Sequence, residues 1–182
     1  MLERLISSLE RCPIVKRGEY NYFIHPITDG VPSLDPALLR EVSVAMIKVL
    51  DLDGVNRIIA AEAMGIHIGS LISSMTDLPL NIVRKREYLL PGEIPIHQVT
   101  GYSKGQLFLN GVEQGDRVVI VDDVISTGGT TRALLAALAL AGATVSDICF
   151  AIRRGKPDIG RPYKALVAIE VTDRVRIIDR YF

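Results

Sequence analysis

Cysteine is scarce in this sequence, with two residues in a chain of 182. Cys12 and Cys149 are too far apart to indicate a disulfide scaffold. Cys149 stands in the apolar run ICFAI, which predicts a buried thiol that packs as a small hydrophobic group. No Cys–His pattern indicates a catalytic thiol. Such cysteine usage is typical of a reducing compartment, so we expect a soluble, cytoplasmic protein.

An excess of charge of one sign is also lacking. The 21 basic and 21 acidic side chains give a formal net charge of zero. Because binding to nucleic acid requires surplus Lys and Arg, we expect no nucleic-acid partner. No apolar run reaches the ~20 residues of a membrane-spanning helix, so we expect no membrane partner. The first residues, MLERLISSLER, mix charges into their apolar spacing, which is not typical of a signal peptide.

The length and the 48% hydrophobic content suit a single domain over residues 1–182. Helical spacing of apolar residues is found in the first dozen residues and at 37–50, 65–75 and 130–141. Short apolar runs predict strands at 57–61, 80–83, 106–109, 117–121, 145–152, 165–169 and 175–178. This alternation predicts an α/β fold, with a mostly parallel sheet flanked by helices. Ligands of such sheets bind beyond the carboxyl ends of the strands.

Two segments depart from the alternation. Residues 1–35 combine the first helix with a short extended aromatic stretch at 20–24 and a loop. Residues 86–104 contain two prolines and little periodicity, so we expect a flexible loop that acts as a lid.

The most informative motif is VVIVDDVISTGGTT, residues 118–131. Gly128 and Gly129 let backbone N–H groups approach an anion closely, and the helix that follows adds the positive end of its dipole. Neighbouring hydroxyl donors are Ser126, Thr127, Thr130 and Thr131. The carboxylates of Asp122 and Asp123 suit the vicinal hydroxyls of a sugar, or a metal. Together these features predict a ribose 5-phosphate site.

Simpler interpretations of the motif exist. A strand followed by Asp is also typical of P-loop ATPases, but the GxxxxGK[ST] motif that they require is absent from the sequence. The two glycines can form a plain turn, and the acids can be a helix cap and a surface residue. Adjacent residues of a regular strand point to opposite faces, so Asp122 and Asp123 can both serve only if the strand already turns into the loop.

The motif resembles the phosphoribosyl pyrophosphate (PRPP) signature of the type I phosphoribosyltransferases. EAMGIHIG, residues 62–69, resembles the pyrophosphate loop of the adenine enzymes. VRKREYLLPG, residues 83–92, and TGYSKGQLFL, residues 100–109, resemble the entry to the flexible loop and the return from it. With YFIHPITDG near the start, the chain is most similar to the archaeal hypoxanthine/guanine group. The resemblance implies the type I fold, with a small N-terminal hood over the base within residues 1–35.

The resemblance also implies a role for each matching residue. Catalytic roles fall to Asp122 and Asp123, which would hold the ribose hydroxyls, and to Tyr102 on the lid. The 5-phosphate would be held by Ser126, Thr127, Gly128, Gly129 and Thr130. The pyrophosphate would meet Ala63, Met64, Gly65 and Lys85. Phe23 of the hood would stack on the base.

The implied reaction transfers the 5-phosphoribosyl group from PRPP to hypoxanthine or guanine, giving IMP or GMP and pyrophosphate. Mg²⁺ would be held mainly by PRPP oxygens, without a dedicated metal site on the protein, and the protein would form a homodimer. Three alternatives stay open: an adenine phosphoribosyltransferase that gives AMP, a non-catalytic PRPP-sensing regulator, and an orotate or uracil enzyme. The adenine enzymes often have Glu where Gly101 precedes Tyr102, and its absence favours hypoxanthine and guanine.

The remaining polar residues are ambiguous. Met64 stands where the adenine enzymes commonly have Arg, and the basic run 84–86 either replaces that charge or forms a solvated face. A second basic cluster, Arg153, Arg154 and Lys156, either contacts the base or is solvated. The three histidines lack metal-ligand spacing, and we expect packing or surface roles for them.

Overall fold

The computed structural model of the protein describes residues 1–18, 20–99 and 104–182. In chain order, the helices are α1 (Glu3–Arg11), α2 (Pro26–Asp29), α3 (Pro36–Val49), α4 (Gly65–Thr76) and α5 (Gly129–Leu140). The strands are β1 (Ile14–Arg17), β2 (Tyr20–Phe23), β3 (Arg57–Ala61), β4 (Leu80–Val83), β5 (Ile94–Val99), β6 (Lys104–Leu109), β7 (Arg117–Ile125), β8 (Thr144–Arg154), β9 (Lys164–Val171) and β10 (Val175–Arg180).

Six of the strands form the central sheet, in the order β10-β9-β8-β7-β3-β4. All neighbouring pairs are parallel except β10 with β9. The VVIV run of β7 is buried throughout, as expected for a strand covered on both faces. The predicted α/β fold with a mostly parallel sheet is confirmed.

One hydrophobic core lies on each face of this sheet. The first, called here the α3–α4 core, joins α1, α3 and α4 to the sheet through Leu5, Met46, Ile72, Val119 and Val121. Cys149 belongs to it and is fully buried, which confirms its predicted packing role. The second, called the α5 core, joins α5 and the β5–β6 hairpin to the sheet through Leu138, Ile96, Leu107, Val118 and Ile120. Within the ranges that the structure describes, no helix is both long and apolar enough to span a bilayer.

The β5–β6 hairpin corrects the expectation of an irregular segment at 86–104. Residues 94–99 form β5, which pairs antiparallel with β6. Ile96 is 2% exposed and pairs with Leu107 in the α5 core. Pro95 argued against a strand in the sequence, because proline is disfavoured within sheets, although it is tolerated on an edge strand. Residues 86–93 contain no helix or strand, and Tyr102 lies outside the described residues.

A second hairpin, β1–β2, was also not evident in the sequence. Its first strand carries adjacent rather than alternating apolar residues, Ile14 and Val15, so periodicity did not identify it. The hairpin and the short helix α2 lie in the segment to which the resemblance assigns the hood, and they are called the hood below.

Strand β10 is an outer edge of the sheet. Its pairing with β9 shifts register between Ile177 and Asp179, which leaves Ile178 in a bulge. Charged side chains occupy much of the strand, at Arg176, Asp179 and Arg180.

His25 connects α1 to the hood. It is fully buried, and its Nδ1 accepts a hydrogen bond from the backbone N–H of Ile27 at 3.2 Å. Nε2 lies 2.8 Å from Ser8 Oγ. Because Nδ1 accepts, the neutral ring carries its proton on Nε2 and donates it to Ser8. Burial lowers the pKa of His25 from 6.5 to about 4. The expected packing role is confirmed for His25, and His97 is exposed.

We expect His25 to make the protein less stable as the pH falls. The unfolded chain binds this proton near pH 6.5, whereas the folded chain binds it only near pH 4. The contribution of His25 to the free energy of unfolding is therefore fully present above pH 6.5. It falls by about 2 kcal/mol between pH 7 and pH 5. Asp122 and Asp123, whose pKa values burial raises, act in the opposite direction over this range. Urea unfolding of the wild type and of a His25→Asn variant, which keeps an acceptor for Ile27, therefore measures the His25 loss as the difference between the two proteins. An equal pH dependence of the two proteins would contradict the assignment.

Candidate active site

The predicted phosphate loop, residues 126–130, joins the carboxyl end of β7 to α5. Gly128 caps α5 with a φ of +73°, and a Cβ there would lie 2.7 Å from Ile159 Cγ2. Glycine is therefore required by both the backbone conformation and the close approach of Ile159. Ser126 and Thr127 are exposed, and Arg132 Nη1 donates to the carbonyl of Thr127 at 3.1 Å. The loop thus has a fixed backbone and accessible hydroxyl groups at a helix N-terminus, an arrangement that can bind an anion.

Asp122 and Asp123 lie next to this loop, but not where the strand turns. Strand β7 continues to Ile125, so the condition that the strand already turns into the loop at the two acids is not met. The strand instead twists across the pair. Val121 and Val124, three residues apart, both pack on the α3–α4 core, although regular alternation would place them on opposite faces.

This twist leaves the two acids next to each other near the end of the strand. The backbone N–H of Asp123 donates to Asp122 Oδ1 at 3.0 Å. Burial raises the pKa of both groups, and the charge of Asp122 raises that of Asp123 further.

The predicted pyrophosphate loop reaches the same place from the neighbouring strand. It connects β3 to α4, and its Glu62–Ala63 peptide bond is cis. A Cβ on Gly65 would lie 2.7 Å from Asp122 Oδ1, so the N-terminus of α4 is in direct contact with the acid pair. Met64 is half-buried, and its Cε packs against Gly30 at the end of α2.

The three basic residues at 84–86 make different contacts. Arg84 Nε donates to Glu62 Oε2 at 2.8 Å, so its charge is neutralised by that carboxylate. The guanidinium of Arg86 lies 5.6 Å from the ring centroid of Tyr88. Lys85 has an exposed side chain, while its backbone N–H donates to Glu62 Oε2 at 3.1 Å. Lys85 therefore has an exposed side chain on a backbone position that Glu62 holds.

A pocket of about 200 Å³ lies between the hood and the phosphate loop. Its walls are Tyr20, Tyr22, Phe23, Thr28, Asp29, Val124, Ser126 and Arg154. It is smaller than the ~300–1,000 Å³ pockets of drug-sized ligands and suits one planar base. Phe23, 9% exposed, is one of the aromatic residues that line it.

Arg154 is fixed at the rim of this pocket. Its guanidinium lies 4.0 Å from the ring centroid of Tyr20, and Nη1 donates to the carbonyl of Asn21 at 3.2 Å. Arg153 instead lies 3.9 Å from Asp179, and Lys156 is exposed. Of the basic cluster, Arg154 is thus the residue that the fold directs to the pocket.

The structure therefore brings most of the predicted site residues to one edge of the sheet. The pyrophosphate and phosphate loops meet the acid pair, and Phe23 shares a pocket with Ser126. Sequence reasoning missed Glu62 as an organising residue and Asp29 as a pocket residue. Asp29 precedes Gly30 and resembles an ordinary turn residue, so no signal in the sequence identified it.

Comparisons with known proteins agree with this geometry. Residues 36–175 match the family model described as a phosphoribosyl transferase domain. The hypoxanthine/guanine phosphoribosyltransferase of Methanosphaerula palustris is 65% identical over 181 residues, which cover 100% of both chains. The enzyme of the same name from Methanospirillum hungatei is 61% identical over 98% of each chain.

Solved structures show the same fold at lower identity. The adenine phosphoribosyltransferase of Thermoanaerobacter pseudethanolicus superposes with a TM-score of 0.76 at 24% identity, covering 92% of this chain and 99% of that one. At this identity the likeness supports the fold and not the base that is bound. With its fold, its loops and its full-length archaeal relatives all in agreement, the chain belongs to the phosphoribosyltransferase family.

Proposed function

We propose that the protein transfers the 5-phosphoribosyl group of PRPP to hypoxanthine or guanine, giving IMP or GMP and pyrophosphate. The observation that carries this proposal is the contact of the pyrophosphate loop with the acid pair beside the phosphate loop, at Gly65 and Asp122. The archaeal relatives named for these two bases support the choice of substrate.

The phosphate loop anchors the end of PRPP that does not react. Backbone N–H groups at the N-terminus of α5 and the hydroxyls of Ser126 and Thr127 face the 5-phosphate in this proposal. Binding energy from this remote group orients C1 of the ribose toward the base. The pyrophosphate leaves toward residues 63–65 and Lys85.

Asp122 and Asp123 orient the ribose hydroxyls and stabilise positive charge. The reaction passes through an oxocarbenium-like state, and fixed negative groups beside the ring stabilise that charge as it develops. Their burial strengthens the effect because little water screens them.

The acid pair also fits the proposed Mg²⁺ ion. Magnesium is commonly held by one or two carboxylates together with substrate phosphates. Across residues 1–18, 20–99 and 104–182, no cluster of three or more His, Cys, Asp or Glu forms a metal cage. When bound beside these carboxylates, Mg²⁺ would supply positive charge for the leaving pyrophosphate.

The hood pocket supports binding of an oxopurine. Phe23 offers a surface for stacking, Asp29 an acceptor for a ring N–H, and Arg154 a cation for the 6-oxo group. The ring N–H meant here is that of N1, and adenine has neither a proton on N1 nor an oxo group. The lid role of Tyr102, the homodimer and the cytoplasmic location stay predictions.

The direct test uses purified protein, PRPP and Mg²⁺ with hypoxanthine, guanine, adenine and xanthine in separate reactions. We expect nucleotide product with hypoxanthine and guanine, detected by chromatography. Product with adenine alone would contradict the base assignment. PRPP binding without product from any base would instead favour the regulator.

The acid pair should be essential for turnover. We expect the double variant Asp122→Asn/Asp123→Asn to lower kcat by about 10²-fold or more, the typical effect of removing fixed transition-state electrostatics. The amide has the shape of the carboxyl group, so the fold is retained and thermal unfolding serves as the control. Normal turnover would rule out the proposed role.

Gly65→Ala should disturb the site without disturbing the fold. The new Cβ displaces the Asp122 carboxylate, so we expect at least a ~10-fold lower kcat/KM for PRPP. Gly69→Ala, one turn further along α4, is the matched control. Its Cβ would press at 2.9 Å on Ala60 and Leu80, which costs ~1–3 kcal/mol of stability and leaves kcat/KM near normal. Equal kinetic effects of the two variants would contradict this account.

A further inference from the structure

Glu62 makes a set of contacts that the proposed reaction does not use. It follows β3 directly and begins the pyrophosphate loop. Its Oε2 accepts hydrogen bonds from Arg84 Nε at 2.8 Å and from the backbone N–H of Lys85 at 3.1 Å. Its own N–H donates to the carbonyl of Val83 at 2.9 Å. One residue thus joins the start of the pyrophosphate loop to the chain that leaves β4.

Arg84 extends this connection from Glu62 to the β5–β6 hairpin. The backbone N–H of Arg84 donates to the carbonyl of Phe108 at 3.0 Å, and Phe108 N–H donates to the Arg84 carbonyl at 2.7 Å. Glu62, Arg84 and Phe108 therefore link three segments: the pyrophosphate loop, the exit of β4 and strand β6. The position of Lys85 follows from this linkage.

The contacts are better suited to positioning than to stability. The side chains of Arg84 and Glu62 are 42% and 25% exposed, and ion pairs at such exposure contribute little to folding. The hydrogen bonds from Lys85 and Arg84 lower the pKa of Glu62, so it is ionised at neutral pH. An ionised acceptor beside a phosphate site would repel a pyrophosphate unless its charge were compensated, as Arg84 does here.

We propose that Glu62 is a positioning residue, which holds the backbone of Lys85 so that its ammonium group meets the pyrophosphate of PRPP. This inference rests on the proposed function. Small displacements of a charged group from its partner reduce binding and rate steeply, so fixing Lys85 has a measurable effect.

The first test is a series at Glu62. We expect Glu62→Ala to raise the KM for PRPP and the inhibition constant of pyrophosphate about tenfold, with the KM for the base and the thermal midpoint unchanged. Glu62→Gln keeps an oxygen that can accept from Lys85 and should recover most of the loss. A normal PRPP KM in Glu62→Ala, or a parallel change in the KM of the base, would overturn the proposal.

Glu41 is a matched control on another part of the fold. Its carboxylate likewise accepts from two backbone groups, Leu5 N–H at 2.8 Å and Arg4 N–H at 3.2 Å. These contacts join α3 to α1, outside the candidate active site. We expect Glu41→Ala to leave the PRPP and pyrophosphate constants unchanged. A tenfold rise in this variant would show that the effect is not specific to Glu62.

A double-mutant cycle with Lys85→Ala identifies the route of action. If Glu62 acts through Lys85, Glu62→Ala should change the PRPP KM less than about twofold in the Lys85→Ala background. A full tenfold effect there would overturn the proposal. Calorimetric titration with PRPP and Mg²⁺ repeats the cycle without turnover, so it still tests Glu62 if the wild-type protein makes no nucleotide and the proposed function fails.

Discussion

The close approach of α4 to the carboxyl end of β7 organises the rest of the site. A side chain at Gly65 would collide with the Asp122 carboxylate, so this helix can reach the acid pair only through glycine. Because β3 and β7 are parallel neighbours, the loops that follow them begin at the same edge of the sheet. The pyrophosphate loop and the phosphate loop are thereby set at fixed positions before any substrate binds. Such preorganisation reduces the entropy that binding must otherwise overcome.

Few unpaired cationic side chains stand at the pyrophosphate loop, although the site is proposed to bind a polyanion. Met64 carries none, and the charge of Arg84 is neutralised by Glu62. Anion binding is therefore assigned mainly to backbone N–H groups, helix N-termini and Lys85. This distribution agrees with the net charge of zero. Backbone donors keep their positions when the ligand leaves, whereas a long cationic side chain must be ordered each time.

The sequence predicted the sheet and the phosphate loop because both depend on short-range patterns. The apolar run of β7 and the glycines at 128 and 129 are visible without knowledge of tertiary contacts. The strand at 94–99 was missed because proline is disfavoured in strands and because the burial of Ile96 depends on α5, which is distant in sequence. The position of the acid pair beside the loop is visible in the sequence, but the twist of β7 across Asp122 and Asp123 is a tertiary feature that no local pattern shows. Glu62 was missed for the same reason, since Arg84 lies 22 residues away along the chain.

The charged edge strand β10 has a consequence for the behaviour of the protein at high concentration. A molecule with a sequence pI near 6.8 has little net repulsion between copies at neutral pH. An open strand edge offers unpaired backbone groups to a neighbouring molecule, and a flat apolar edge would favour aggregation. The bulge at Ile178 and the charges of Arg176, Asp179 and Arg180 hinder the pairing of β10 with a strand of a neighbouring molecule. At this edge, strand-to-strand pairing of two copies is therefore opposed by the local shape and the local charges of β10, and not by the net charge of the molecule.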